Sequence, residues 1–378
     1  MYRFDNRIVA TLDAGGTNLV FGAMKGCEFI TEPITLPSQA QDLDKCLGAM
    51  VEGFTRIFDR LAEKPVAISF AFPGPADYPN GIIGGYLPNF PSFRDGVALG
   101  PFLQEKFGVP VFINNDGDLY AFGEATGGML PAINRRISEL GGHKVYKNLI
   151  GFTFGTGLGI GEVINGQLNQ GNNSCVECFC LRNILDPTDI AEDGAAIRAV
   201  KRVYAELSGV DDPSLQPYDI FLIAEGRKEG DAEAARKAFA SFGKVAGDVF
   251  ATAVTLMDAI VVVGGGLTGA MKYIRPALLE EMRSKLRTLS GDVIGRIPMR
   301  VFDLDDEAEF AEFVAGESRE ITVPGTDRKV IYDPMKRTGV AMTQIGASKA
   351  ISVGAYNFAL SRLDAQSAPV AAAPEPAV

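Results

Sequence analysis

Ile8-Val9-Ala10-Thr11-Leu12-Asp13-Ala14-Gly15-Gly16-Thr17-Asn18 is the stretch that decides the fold. A short apolar run with β character stops at an aspartate, and a polar glycine turn follows at once. A second apolar run, Leu19-Val20-Phe21-Gly22-Ala23-Met24, comes next, then a Lys25-Gly26 turn and a third run over Cys27–Ile30. The spacing predicts three strands joined by tight turns, a β-meander. The same plan returns downstream: a strand over Asn148–Phe154, the turn Gly155-Thr156-Gly157-Leu158-Gly159, a strand over Ile160–Ile164, the turn Asn165-Gly166, and another strand from Gln167-Leu168. Residue identities are not repeated; the plan is. Two glycine-rich hairpins alike by coincidence, or two related lobes, would both give this pattern.

Working outward, apolar positions 43, 47, 50, 51, 54, 57, 58 and 61 recur with a helical period. Val66–Phe72 reads as a buried strand ending in Pro73-Gly74-Pro75. Val109–Ile113 reads as another, ending in Asn114-Asn115-Asp116 ahead of a helix over 117–126. Helical patterns fill 191–258, and a strand over Ala259–Val263 leads through Gly264-Gly265-Gly266 into a helix over 269–288. Residues 303–338, with Asp303, Asp305, Asp306, Glu307 and Glu309, read as an acidic surface insertion. The expectation is an α/β protein of two domains: an N-terminal lobe over 1–125 and a C-terminal lobe over 126–345. A closing helix over 346–362 returns to the first lobe, and the Ala/Pro-rich tail 363–378 lacks the apolar groups to order itself.

Composition excludes several functions. Lys and Arg number 36 against 47 Asp and Glu, a net charge of −11 with no basic run, which is a poor match to phosphate backbones, so no nucleic-acid partner is expected. With one histidine, His143, a His–His metal site is impossible, and its Gly141-Gly142-His143-Lys144 setting reads as a surface loop. No signal-peptide layout opens the chain and no apolar run approaches ~18 residues, so a cytoplasmic protein without a membrane partner is expected.

An aspartate at a strand end followed by Gly-Gly-Thr suits a nucleotide. Glycine backbone approaches phosphates closely and offers N–H donors, Thr17 adds a hydroxyl, and Asp13 can hold Mg²⁺. The same residues also suit a plain turn that needs positive φ. Thr153 and Gly155-Thr156-Gly157 could meet the same phosphates from the second hairpin, but no Lys-Ser/Thr follows, so neither turn is a Walker loop. Gly264-Gly265-Gly266-Leu267-Thr268-Gly269 matches a dinucleotide fingerprint after a strand, with Asp292 further on, yet that reading leaves both hairpin loops without a role. Asp116 sits where either a helix cap or a general base belongs. Cys175, Cys178 and Cys180 offer three sulfurs with no evident fourth zinc ligand, so three buried thiols are expected there.

Taken in order, these residues resemble the ROK family of sugar kinases and sugar-responsive repressors within the actin/hexokinase superfamily. The resemblance runs from about residue 7 to residue 362. It implies two actin-like (ribonuclease H-like) lobes with a cleft between them, and ATP-dependent phosphorylation of a hexose or amino-sugar hydroxyl, as in glucokinases, fructokinases and N-acetylmannosamine kinases. Asp116, in the Asn115-Asp116 and Gly123-Glu124 segment, resembles the catalytic base. Asp13 would organise Mg²⁺; Gly15, Gly16, Thr17, Asn18, Thr156 and Gly157 would line the phosphates, and Gly265 and Gly266 the adenosine. Gly74, Asn89, Asn115, Asp116 and Glu177 resemble sugar contacts. Asp189 and Glu192 are candidates for a second sugar-binding carboxylate. Where the family has a histidine after its sugar-binding glutamate this chain has Cys180, and the cysteine run that completes the family zinc site is absent, so ATP and Mg²⁺ are expected but zinc is not. Only twelve residues precede Asp13, so the repressors' DNA-binding module is not expected; a homodimer is. The altered segment keeps a second reading open: a non-catalytic sugar- or nucleotide-binding protein on the same fold.

Overall fold

The computed structural model describes residues 2–74, 76–176 and 180–367. Backbone contacts divide the chain into two compact units, one built from residues 1–115 with 352–378 and the other from 116–351.

In the first unit, β1 (Val9–Ala14), β2 (Asn18–Lys25) and β3 (Glu28–Phe29) form the meander that the alternation and turn residues dictate. β4 (Ile34–Pro37) pairs with β2, and α1 (Leu43–Asp59) follows, its first turn capped by the Asp42 carboxylate on the Lys45 N–H. β5 (Ala67–Ala71) and, after α2 (Leu99–Phe107), β6 (Val111–Asn114) add in parallel, so the sheet runs β3-β2-β1-β5-β6. The period-two rule divides its side chains cleanly. Ala10, Leu12, Phe21, Ile68 and Phe70 face one side with Met50, Phe54 and Ile57 of α1, all buried. Val9, Met24 and Ala67, level in register, face the other side, where Val353, Tyr356, Ala359 and Leu360 of the last helix cover them.

The second unit opens with α3 (Asp116–Thr126) and α4 (Met129–Glu139). It then repeats the meander as β7 (Leu149–Phe154), β8 (Leu158–Ile164) and β9 (Gln167–Leu168). Helices α5 (Ile197–Ser208), α6 (Pro217–Ala224) and α7 (Ala232–Met257) precede β10 (Ile260–Gly264), which pairs in parallel with β7 as β5 does with β1. α7 is long and apolar enough to cross a membrane, but its buried face is packed against α5, α6 and α8 (Met271–Met282) as a core helix. A small hairpin of β11 (Lys285–Arg287) and β12 (Val293–Gly295) follows, so the helix expected over 269–288 stops at Met282 and its last residues are strand. β13 (Arg300–Asp303), α9 (Glu307–Ala315), the hairpin β14 (Arg319–Thr322)/β15 (Lys329–Tyr332) and β16 (Arg337–Met342) complete the unit. The sheet order is β13-β16-β10-β7-β8-β9, with the same connectivity around β7 as around β1. α10 (Ala347–Ser367) closes the chain.

Three expectations change. The segment 116–125, placed in the first lobe by sequence, belongs to the second unit because α3 lies on β7 and β8. The 303–338 segment is not wholly an insertion: Phe310 and Phe313 are buried, Asp303 ends sheet strand β13, Arg337 and Thr338 begin sheet strand β16, and only the 319–332 hairpin is exposed along both strands. The closing helix runs on to Ser367, past the expected start of the tail, of which 368–378 lies outside the described residues.

Candidate active site

In the first unit the predicted residues gather at one edge. Asp13, Ala71 and Asn114 are level in register at the carboxyl ends of three adjacent parallel strands, the edge where open α/β sheets take ligands. The 13–17 turn, Gly74 and Asn115 leave the sheet there. The turn is internally tied, Gly15 N–H donating to Asn18 O at 2.9 Å. It is also held from outside by Ser38, which is buried: its hydroxyl donates to Gly16 O at 2.5 Å and its N–H to Thr17 O at 2.9 Å. Asn89 lies against Gly16, where an added Cβ would stand 3.1 Å from the asparagine Cβ. Its loop is pinned by Phe90 and Phe93 packing on Phe72 at the end of β5, with centroids 4.6 and 5.1 Å away. The Asp13 carboxylate has no ion-pair partner among the described residues, and desolvation raises its pKa above the usual carboxylate range although the side chain is accessible. A cation set beside it would remove that penalty, so Asp13 fits a magnesium ligand shared with phosphate oxygens and water.

In the second unit Asp116 is the exposed first residue of α3, and one of its oxygens accepts the Gly117 N–H at 2.9 Å. The helix is seated by glycines. Gly151 and Gly161 are register partners across β7 and β8, and an added Cβ at either would lie within 2.9 Å of atoms of Tyr120 and Ala121 or of Gly117 and Asp118. The 155–159 turn is fastened by the segment before and inside α5. Ile197 N–H donates to Gly155 O (2.9 Å), Arg198 Nη1 to Thr156 O (3.0 Å), and Leu158 N–H to Glu192 Oε2 (3.2 Å). Arg198 in turn grips Glu192 at 2.6 Å and Asp193 at 2.5 Å. Glu192, a candidate sugar contact by sequence, is therefore occupied in holding the turn. Gly264 is level with Thr153, and Gly265, at φ +96°, packs so closely on the Phe154 backbone that no side chain fits. At Gly155 and Gly266 an added Cβ would meet nothing within 4 Å, so the two turns present open backbone to a ligand.

Behind this surface, Glu124 is fully buried. Its carboxylate accepts the Met129 N–H at 2.7 Å and the Thr343 hydroxyl, while Thr343 N–H binds Val263 O at 2.9 Å. Burial raises its pKa against those two bonds. α3 is thereby tied to the end of β10. Ser38, Arg198 and the Gly151–Gly161 pair were not singled out by sequence; each acts across long separations, and only the Gly151 and Gly161 glycines inside strand patterns carried a local signal.

Glu177 and Cys178 lie outside the described residues. Cys175 and Cys180 are exposed, which corrects the expectation of buried thiols at those two positions. Among the described residues no group of three or more His, Cys, Asp or Glu is arranged to hold a metal.

Two units whose sheets share one connectivity, each offering a glycine turn after its first strand, define the actin-like class of ATPase folds. The chain belongs to the ROK family, whose model matches residues 9–177. It is 55% identical to a glucokinase from Parabacteroides distasonis over 96% of this chain and 99% of that one, with a TM-score of 0.87. A ROK family glucokinase from Streptomyces griseus, solved with glucose and AMPPNP, shares the fold at 17% identity, with 93% and 98% coverage and a TM-score of 0.59. A xylose repressor from Bacillus spizizenii is 28% identical over 39% of this chain. That match spans 34% of the repressor, and the glucokinases and xylose repressors among the curated relatives are matched over less than half of their length.

Proposed function

We propose that this chain is an ATP-dependent sugar kinase of glucokinase type, transferring the γ-phosphoryl group to a hydroxyl of glucose or a related hexose or amino sugar. The observation that carries the reading is the 55% identity, over nearly the whole of both chains, to a glucokinase. The two anchored glycine turns and the exposed Asp116 agree with it, since a protein that only binds sugar has no use for a base or for phosphate loops.

Asp116 takes the proton from the attacking hydroxyl as the phosphoryl group arrives. Asn89, Asn115 and Gly74 hold the sugar, with Glu177 as a further contact. The backbone of Gly15, Gly16 and Thr17, with Asn18, and that of Thr156 and Gly157 cradle the phosphates; Gly265 and Gly266 let the adenosine lie against the backbone. Mg²⁺, when bound, neutralises charge on the phosphates, and Asp13 is the carboxylate that holds it. Fixing the loops before ATP arrives lowers the ordering cost at the moment of reaction.

The test is ADP release from Mg·ATP across glucose, fructose, mannose, N-acetylglucosamine, N-acetylmannosamine and allose. Asp116→Asn should lower sugar-dependent turnover by ~10²-fold or more with the fold intact, since general-base catalysis typically contributes ~10²–10⁴. Near-normal turnover in that variant would remove Asp116 from the mechanism. Silence across the panel in a folded, ATP-binding protein would favour the sugar- or nucleotide-binding reading.

A further inference from the structure

A cavity of about 740 Å³ opens in the second unit between the loop after α4, helix α9 and the segment joining β15 to β16. None of its lining residues belongs to the loops described above. Its charged lining is mainly cationic in a chain of net charge −11: Lys144, Lys336 and Arg337 face a single carboxylate, Asp333, with His143 beside them. That carboxylate is already spent. It accepts Arg337 Nη1 at 2.5 Å and the N–H groups of Met335 (3.1 Å) and Glu317 (3.2 Å). Arg337 is 4% exposed and its Nε has no hydrogen-bond partner among the described residues. Neither lysine is ion-paired with a carboxylate among the described residues; Lys144 Nζ lies 4.9 Å from the Tyr146 ring centroid. Desolvation, then the neighbouring Arg337 cation, pushes the Lys144 pKa down, with Lys336 adding to the effect and Asp258 and Asp333 opposing it. The excess positive charge therefore remains uncompensated.

The walls are built in advance. Tyr146 stacks on Phe313 of α9 with centroids 5.2 Å apart, and the Asn134 side chain of α4 clamps the Tyr146 backbone through bonds of 2.8 and 2.9 Å. Arg136 lies over the Phe310 ring at 4.0 Å and pairs with Glu307, fastening α4 to α9. Leu140, Val314, Ile331 and Met335 supply an apolar wall beside the cations. Cations on one side and apolar surface on the other suit an anion that carries an organic body, and two unpaired ammonium groups match the dianionic charge of a phosphate monoester.

We propose that this cavity is a binding site for a small organic phosphate, held through Lys144, Lys336 and Arg337, separate from the phosphate loops. The inference goes beyond the kinase reading and does not depend on turnover. It is tested by calorimetric titration of the full chain at low ionic strength with glycerol 3-phosphate, with glycerol as the uncharged control. Saturable binding of the ester is expected. It should weaken at least about tenfold in Lys144→Ala/Lys336→Ala and be largely restored in Lys144→Arg/Lys336→Arg, while sugar-kinase turnover of both variants stays at the wild-type level. Binding that is unchanged in the alanine pair, equal for glycerol and its phosphate, or absent in folded protein would overturn the proposal. Loss of turnover in Asp116→Asn leaves this titration unaffected, so the two readings fail separately.

Discussion

Adding one methyl group at Gly161 tests whether the position of Asp116 is set by backbone packing. A Cβ built there would stand 2.7 Å from Gly117 C and 2.8 Å from Asp118 Cα, and closer still to Gly117 O. Ordinary contact begins at 3.4 Å, so the first turn of α3 must retreat by about 0.7 Å or more, and no flexible side-chain end is present to yield instead. Overpacking of this kind costs about 1–3 kcal/mol. In a unit of this size each kcal/mol lowers Tm by about 2–4 °C. The retreat carries Asp116 with it, and displacement of a reacting group by ~1 Å can cost ~10²-fold in rate. Gly161→Ala should therefore lower kcat on the best sugar by ~10²-fold, measured well below its own Tm, with KM for ATP little changed. Gly48→Ala is the control: it lies on the exposed face of α1, where the new methyl meets nothing within 4 Å. Wild-type kcat and Tm in Gly161→Ala would refute the glycine seat and with it this account of how Asp116, the proposed base, is positioned.

Three further outcomes follow from the anchoring bonds. Ser38→Ala leaves Gly16 O without its side-chain donor and should cost about 1–3 kcal/mol of stability, with a several-fold rise in KM for ATP and no matching rise for the sugar. Arg198→Lys keeps the charge but cannot span Glu192, Asp193 and Thr156 O together; ATP titration should show affinity falling about tenfold, and retained affinity would free the 155–159 turn from this anchor. Burial raises the Glu124 pKa above its ordinary value, so the native state favours its protonated form. Its contribution to stability is complete below the unfolded-state pKa and is lost as pH rises through the folded one. Wild-type Tm should therefore fall relative to Glu124→Gln as pH rises above the ordinary glutamate pKa, and a constant offset would contradict the argument.

What the sequence disclosed, and what it concealed, divides by the range of the interaction involved. The two meanders were legible because strand alternation and glycine turns are local: Leu12, Asp13 and Gly15 announce a strand end within four residues. The gathering of these residues at one sheet edge followed from them, since Asp13 stands at the end of its strand and Gly74 and Asn115 come just after theirs. The affiliation of α3 was not legible. Its pattern reads equally well as the last helix of the first unit, and only the Gly151–Gly161 pair, register partners some 30–40 residues downstream, draws it onto the second sheet.

The acidic run at 303–309 misled for a different physical reason. Charge density suggests a solvated surface, but Asp303 and Asp305 are both bound by Arg275 of α8, and Glu309 by Arg283 just after that helix. Those carboxylates fasten β13 and α9 to the preceding helix while Phe310 and Phe313, spaced by three, turn inward. Linear charge counts cannot distinguish a solvated cluster from one whose partners lie some 25–30 residues away. The same limit hid the cationic cavity. Lys144, Lys336 and Arg337 are separated by nearly 200 residues, and the acidic segment between them in sequence supplies the apolar wall of α9 rather than the neutralising charge. A chain that is acidic overall can thus hold a concentrated positive site, because net charge constrains the sum over the surface and not the arrangement of any one part of it.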